Sequence, residues 1–374
     1  MKVDDLTYGK EKGLTKMYTD RINRVLDLMK EKDLTQMIVS NRYSIFWMTG
    51  VMIEPGERLY ALYLNINGSH KAFVNNLFKT DADFDMDKIF YDDTEDPIKM
   101  ISDVTDHTKP LGIDKNWPSG FLIRLIDLNG ASKYVDGSDI VDFCRQVKDE
   151  KEQELMRISS RLNDMAMERL VKLVGQGYSE EELVVMLKDI YKELGCDGIS
   201  FEPIITFGKG AATPHHVTDG TKGKKGDCVV MDIGAYKDGY ASDMTRTVFL
   251  GEVSDRHRLI YETVAEANRR GIAAAKPGNK MSDVDKACRD YITEKGFGQY
   301  FTHRTGHGIG LEEHEAGDVS SANDAIIRVG QCFSVEPGIY IPEENIGVRV
   351  EDLVIVQEDG AELLNHYPKE IVLI

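Results

Sequence analysis

Along residues 19–30, apolar side chains recur at Ile22, Val25, Leu26 and Met29, three or four positions apart, which predicts an amphipathic helix. The short apolar runs 36–39 and 45–49 follow and read as buried strands. Residues 59–66 and 71–74 are strand-like runs on either side of Asn67-Gly68, a dipeptide that favours a tight turn. Residues 111–113 read as another buried strand and 121–128 as a helix. Such alternation predicts a small α/β domain of about 145 residues, a mixed sheet with flanking helices.

The pattern changes at Asp149. Leu155, Ile158, Leu162, Met165, Leu170 and Val174 recur mostly three to five apart, so a long helix leads into a second domain. Met165, Met167 and Met186 sit at helical positions and read as ordinary core residues. Ser179 followed by Glu182 has the form of a capping box, and Gly195 that of a helix stop. Helices also fit 254–276, stopped by Pro277-Gly278, and 282–295, stopped by Gly296. Val-, Ile- and Phe-rich runs between and after these helices predict an α+β domain with largely antiparallel strands. The expected division is 1–148 and 149–374, in keeping with the two domains that 374 residues suggest. No internal repeat or low-complexity linker interrupts it.

Composition narrows the function. Hydrophobic residues at 41% and charged residues at 29% describe a globular chain, which excludes disorder or coiled coil as a description of the whole. Against 64 Asp and Glu stand 46 Lys and Arg, a net charge of −18 that opposes binding to nucleic acid or an anionic membrane. Five scattered cysteines without a CxxC pair suggest reduced thiols rather than a disulfide framework or a thiolate zinc site. The first residues lack an apolar run of signal-peptide type and no segment is long enough to span a bilayer, so the expected location is cytoplasmic. Gly208-Lys209-Gly210 lacks the spacing of a phosphate loop, and 222–225 reads as a solvated loop.

The chemistry concentrates late in the chain. Val229-Val230-Met231-Asp232-Ile233-Gly234-Ala235 and Ala241-Ser242-Asp243-Met244-Thr245-Arg246-Thr247 flank a turn containing Asp238-Gly239. A two-residue turn at Lys237-Asp238 would set Asp232 directly opposite Asp243, and one at Asp238-Gly239 would make them diagonal neighbours on one face. Either register brings two carboxylates within reach of one ion. His307 stands between glycines in Thr305-Gly306-His307-Gly308-Ile309-Gly310-Leu311, while Glu336 and Glu351 each end an apolar run. Four converging carboxylates without cations would repel one another strongly, so their convergence would demand metal. Oxygen-rich ligands suit Mn, Fe, Co or Mg, and carboxylates can bridge two ions about 3.5 to 4 Å apart.

The segments MDIGA, ASDMTRT, HRTGHGIGLEEHE, EPGIY and GVRVED resemble the metallopeptidase family of prolidase, aminopeptidase P, creatinase and methionine aminopeptidase, from about Asp149 to the C-terminus. The resemblance implies a catalytic domain of pita-bread fold, a curved antiparallel sheet flanked by helices. It also implies two divalent ions, Mn before Co, Fe or Zn, with Asp232 chelating one, Asp243 and Glu351 bridging both, and His307 and Glu336 completing the other. By motif position, His215 resembles a histidine that contacts substrate, His314 one that binds the scissile carbonyl, and His303 a further substrate-side histidine. Tyr340 and Arg349 fall where the family orients its metal carboxylates. The first domain resembles the creatinase/prolidase N-terminal domain more weakly, through its layout and residues 43–50. In dimeric relatives that domain reaches the partner's active site, a place an exposed Trp47 could serve, although core packing is the plainer role for it.

The implied activity is hydrolysis of Xaa-Pro dipeptides by a homodimer, through a hydroxide bridging the metals, with Glu336 as general base and His314 stabilising the oxyanion. Ala316-Gly317-Asp318 departs from the family pattern, since after the His-Glu pair several prolidases have Trp or Tyr, then Pro and often an arginine that receives the substrate carboxylate. An acid at that position would repel a free C-terminus, leaving the preference altered or the carboxylate to another cation. Aminopeptidase P action on longer Xaa-Pro peptides is the alternative, followed by a nonhydrolytic or creatinase-like relative, which typically lacks the ligands retained here.

Overall fold

The computed structural model describes residues 12–82 and 84–374, with side chains from Met17 onward. It divides into two compact units, Met1–Arg145 and Gln146–Ile374. The first unit is built on a six-stranded mixed sheet, in the order Asp87–Tyr91, Lys71–Asn75, Tyr60–Asn65, Gln36–Val39, Pro110–Ile113, Lys133–Asp136. The three central neighbours run antiparallel and the outer pairs parallel. Five helices, Lys12–Glu31, Arg42–Thr49, Pro97–Val104, Ser119–Asp127 and Ser138–Gln146, complete it. Ile38, Tyr63, Phe73, Ile101, Leu111 and Leu125 share one core.

The run 45–49, read above as a strand, belongs to the helix Arg42–Thr49. Asn41 caps it by accepting the Ser44 N–H, and Gly50 closes it at φ 72°. Ser44 to Thr49 are all buried, so this helix has no polar face to reveal its period, and only the caps distinguish it from a strand. Trp47 lies in it at 1% exposure, as a packed side chain.

Every ladder in the second unit is antiparallel. Helices Glu150–Val174 and Glu180–Glu193 begin at capping boxes on Asp149 and Ser179 and pack over one core; Asp255–Ala274 and Met281–Glu294 pack over another. The strand Cys228–Ile233 belongs to both. Cys228 and Val230 enter one core and Val229, Met231 and Ile233 the other, as the two-residue period of a strand requires when both faces are covered.

The long helix buries only the end of the stripe expected of it, Leu170 and Val174. Met165 is exposed, and the buried face carries Ser159, Ser160 and Asn163 beside Met156, Met167 and Leu170. Two of these polar residues are buried because they serve backbone: Ser159 Oγ donates to the Ala235 carbonyl (3.1 Å) and Asn163 Nδ2 to that of Ile233 (2.8 Å). The helix thus holds the end of the strand that bears Asp232. Among the described residues no helix is long and apolar enough to cross a membrane, and four of the five free cysteines are buried.

Arg246, only 1% exposed, is the main internal tie of the second unit. It donates to Asp352 Oδ1 (2.7 Å) and to the carbonyls of Glu351 (2.6 Å) and Tyr367 (2.9 Å). Lys369 Nζ completes the pairing of the fully buried Asp352 at 2.7 Å. Removing one member of such a buried cluster leaves charge and carbonyls unpaired. Arg246→Ala is therefore expected to lower unfolding free energy by about 3–5 kcal/mol in urea titration; a loss below about 1 kcal/mol, the range of an exposed pair, would contradict this role.

Candidate metal centre

Acidic residues enter the centre where ladders begin, end or break. Lys237 pairs with Tyr240, so the turn is at Asp238-Gly239, both with positive φ. The same register sets Thr245 opposite Asp232 and makes Asp243 its diagonal neighbour, the second of the two arrangements considered above. Asp243 lies between strands Tyr240–Ala241 and Met244–Phe249. Glu336 follows Cys332–Val335, and Glu351 lies between Ile346–Arg349 and Asp352–Gln357. His307 is the centre of Gly306–Gly308, whose flanking glycines press against the carbonyls of Ser334 and Ala316, leaving no room for a Cβ.

These residues meet in one cavity of about 310 Å³. Ligand atoms of Asp243, His307 and Glu351 all lie within 4.8 Å of one another. His307 Nδ1 lies 3.1 Å from the Gly308 carbonyl, which fixes the proton on Nδ1 and leaves the Nε2 lone pair facing Glu336 Oε1 at 3.4 Å and Asp243 Oδ2 at 3.7 Å. Burial, with His314 beside it, pushes the His307 imidazole down to about 3, so it is neutral over the working pH range. A lone pair aimed at carboxylate oxygens is repulsive unless a cation lies between them. Asp232 Oδ1, Asp243 Oδ1 and Glu351 Oε1 are also buried without a hydrogen-bond partner. Burial and mutual repulsion raise the Asp243 and Glu351 carboxyls well above their ordinary range, and burial pushes Glu336 up to about 7. Orphaned acceptors around a neutral imidazole fit divalent cations.

The opposite oxygens of Asp232 and Glu351, and one oxygen of Glu336, are held. Arg349 Nη2 donates to Asp232 Oδ2 (2.6 Å), its Nη1 to Tyr340 Oη (2.7 Å) and its Nε to Thr245 Oγ1 (3.0 Å). Thr245 donates in turn to Glu351 Oε2 (2.8 Å). Ser334 Oγ accepts the His307 N–H (3.0 Å) and donates to Glu336 Oε1 (3.1 Å). Tyr340 Oη meets His303 Nε2 at 3.0 Å, and His303 Nδ1 meets the Arg304 carbonyl at 2.7 Å. Both His303 nitrogens are thus engaged within the protein, and burial pushes its imidazole down to about 4. Thr245 and Ser334 were missed in the sequence, yet Asp243/Thr245, Ser334/Glu336 and Arg349/Glu351 are each i, i+2 pairs, the spacing that shares a strand face.

His215 and His314 line the outer cavity; the His314 ring stands 4.1 Å from that of His307, nearly perpendicular. The loop bearing His215 is anchored through His216 and the Asp219 N–H, both on the buried Glu180 carboxylate at 3.0 Å. That carboxylate also accepts the Phe207 N–H, so its oxygens are already occupied. Phe201, Ile204 and Pro214 add an apolar wall, and Arg304 and Glu313 are polar lining that the sequence did not single out. Asp318 pairs with Arg304 and does not line the cavity, so its charge is offset rather than presented to a ligand.

Residues 154–358 match the model of metallopeptidase family M24, and residues 21–147 that of the creatinase/prolidase N-terminal domain. An uncharacterized peptidase of Staphylococcus haemolyticus is 34% identical, over 93% of this chain and 99% of the relative. A dipeptidase structure from Pyrococcus horikoshii OT3 superposes with TM-score 0.87 at 32% identity, over 95% of this chain and 100% of that one. The structure of an Xaa-Pro dipeptidase from Bacillus anthracis does so with TM-score 0.87 at 29% identity, over 96% and 100%. The chain therefore belongs to metallopeptidase family M24, with a creatinase-like first domain ahead of a pita-bread catalytic domain.

Proposed function

We propose that this metallopeptidase hydrolyses the Xaa-Pro bond of dipeptides, working in the cytoplasm as a homodimer with its chemistry confined to residues 149–374. The reading is carried by the buried, unpartnered oxygens of Asp232, Asp243 and Glu351 around the neutral His307, and is supported by the dipeptidases it resembles. Asp232, Asp243, His307, Glu336 and Glu351 would hold two divalent ions, with Mn favoured by four carboxylates and one imidazole. When bound, these ions would polarise the scissile carbonyl and lower the pKa of a water.

The chain's own groups supply the rest. Glu336 takes a proton from the attacking water as the C–O bond forms and returns it to the proline nitrogen as the C–N bond breaks. A ring N–H of His314 donates to the carbonyl oxygen as negative charge develops on it. Arg349, Tyr340 and Thr245 keep Asp232 and Glu351 in place, and His215 contacts the substrate from the outer cavity.

Asp243→Asn is expected to lose bound metal and all measurable turnover of Xaa-Pro dipeptides, whereas full metal content with unchanged turnover would contradict the assignment. A second expectation concerns pH without metal. Glu336 is raised from 4.5 to about 7, so between those values the folded chain holds more protons than the unfolded one, and stability falls as pH rises. His307 and His303, lowered from 6.5 to about 3 and about 4, act in the opposite sense, but only below about 6.5. Taking the protein in chelator from about pH 6.5 to about 8 should thus lower the Tm of wild type more than that of Glu336→Gln. Equal falls would argue against this burial of Glu336.

A further inference from the structure

Seven charged residues line the cavity: Asp232, Asp243, Glu313, Glu336, Glu351, Arg304 and Arg349. On the proposed peptidase reading, four of the acids are committed to metal, and Arg349 is spent on Asp232, Tyr340 and Thr245. Arg304 is engaged by Asp318. Glu313 remains. Its carboxylate lies 3.5 Å from a His314 ring nitrogen, too long for a good hydrogen bond, and among the described residues no Lys or Arg pairs with it, so the cavity keeps one carboxylate without a matching charge.

Depth then decides what Glu313 can meet. The Asp243 and His307 side chains are 5% and 4% exposed, whereas Glu313 is 30% exposed, part of the way to the mouth. The α-ammonium of a dipeptide is separated from the scissile carbonyl carbon by the α-carbon alone, which confines it to the deep end. The C-terminal carboxylate would be repelled by Glu313, and proline has no charged side chain. Only the side chain of the N-terminal residue can bring a cation outward to this depth, its methylenes lying along Phe201, Ile204 or Pro214.

We propose that Glu313 is a specificity-determining residue that selects peptides whose N-terminal residue carries a cationic side chain, lysine or arginine. The inference rests on the Xaa-Pro peptidase reading and goes beyond it by naming the side chain the site prefers. A charge-assisted contact of this kind supports about a tenfold discrimination.

The test measures kcat/KM of the Mn-loaded protein on Lys-Pro, Leu-Pro and Asp-Pro. Wild type is expected to favour Lys-Pro over Leu-Pro. Glu313→Gln should lower that ratio about tenfold, Glu313→Asp should largely restore it, and Glu313→Lys should turn the preference towards Asp-Pro. A purely structural role would not produce inversion by charge reversal. A ratio unchanged in Glu313→Gln, or no preference for Lys-Pro in wild type, would overturn the inference while leaving the peptidase reading intact. Failure of metal-loaded wild type to cleave any of the three would overturn that reading itself, and the inference with it.

Discussion

Four carboxylates and a neutral imidazole converge in the interior of the second unit, and no fold tolerates this without compensating charge. Isolated ionised carboxylates away from water cost several kcal/mol each, and mutual repulsion adds to that. Arg349 offsets part of it at Asp232, but the facing oxygens of Asp232, Asp243 and Glu351 are left bare. The His307 lone pair points at the same acids. The geometry is costly for the protein alone and apt for divalent cations, and most of the surrounding architecture serves to maintain it.

That architecture works in two ways. The two cores grip the Cys228–Ile233 strand from both faces, and Ser159 and Asn163 fasten its end to the long helix, so Asp232 cannot retreat towards solvent. Ladder breaks free the other acids from strict alternation: Asp243, Glu336 and Glu351 each sit at an edge between strands, where the backbone can turn a carboxylate inward. Their i+2 or i−2 neighbours Thr245, Ser334 and Arg349 then share a face with them and supply donors to the carboxylates, Thr245 to Glu351, Ser334 to Glu336 and Arg349 to Asp232. Behind this layer, Arg246 ties the Glu351 carbonyl to Asp352.

Much of this was legible in the sequence because chemistry and periodicity coincide there. The capping boxes at Asp149 and Ser179 and the α/β alternation of the first domain are local signals, and the same-face relation of Asp232 and Asp243 held for either two-residue turn. What escaped was whatever tertiary context decides. The helix Arg42–Thr49 is covered on all sides and so shows no helical period. The long helix buries serine and asparagine because carbonyls await them, which an apolar stripe cannot reveal. Asp318 looked like an obstacle to substrate until its partner Arg304, fourteen residues earlier in the chain, could be seen. Thr245 and Ser334 were readable in principle from their spacing, but only after the acids beside them had been recognised as a set.

The central claim is that divalent cations hold the buried acids together, and the most direct measurement of it is metal stoichiometry. Protein loaded with Mn, freed of excess ion and analysed by plasma mass spectrometry should carry two ions per chain, and anomalous scattering from its crystals should place both among Asp232, Asp243, His307, Glu336 and Glu351. A folded protein that binds no ion at these residues and keeps its full activity in chelator would contradict the account.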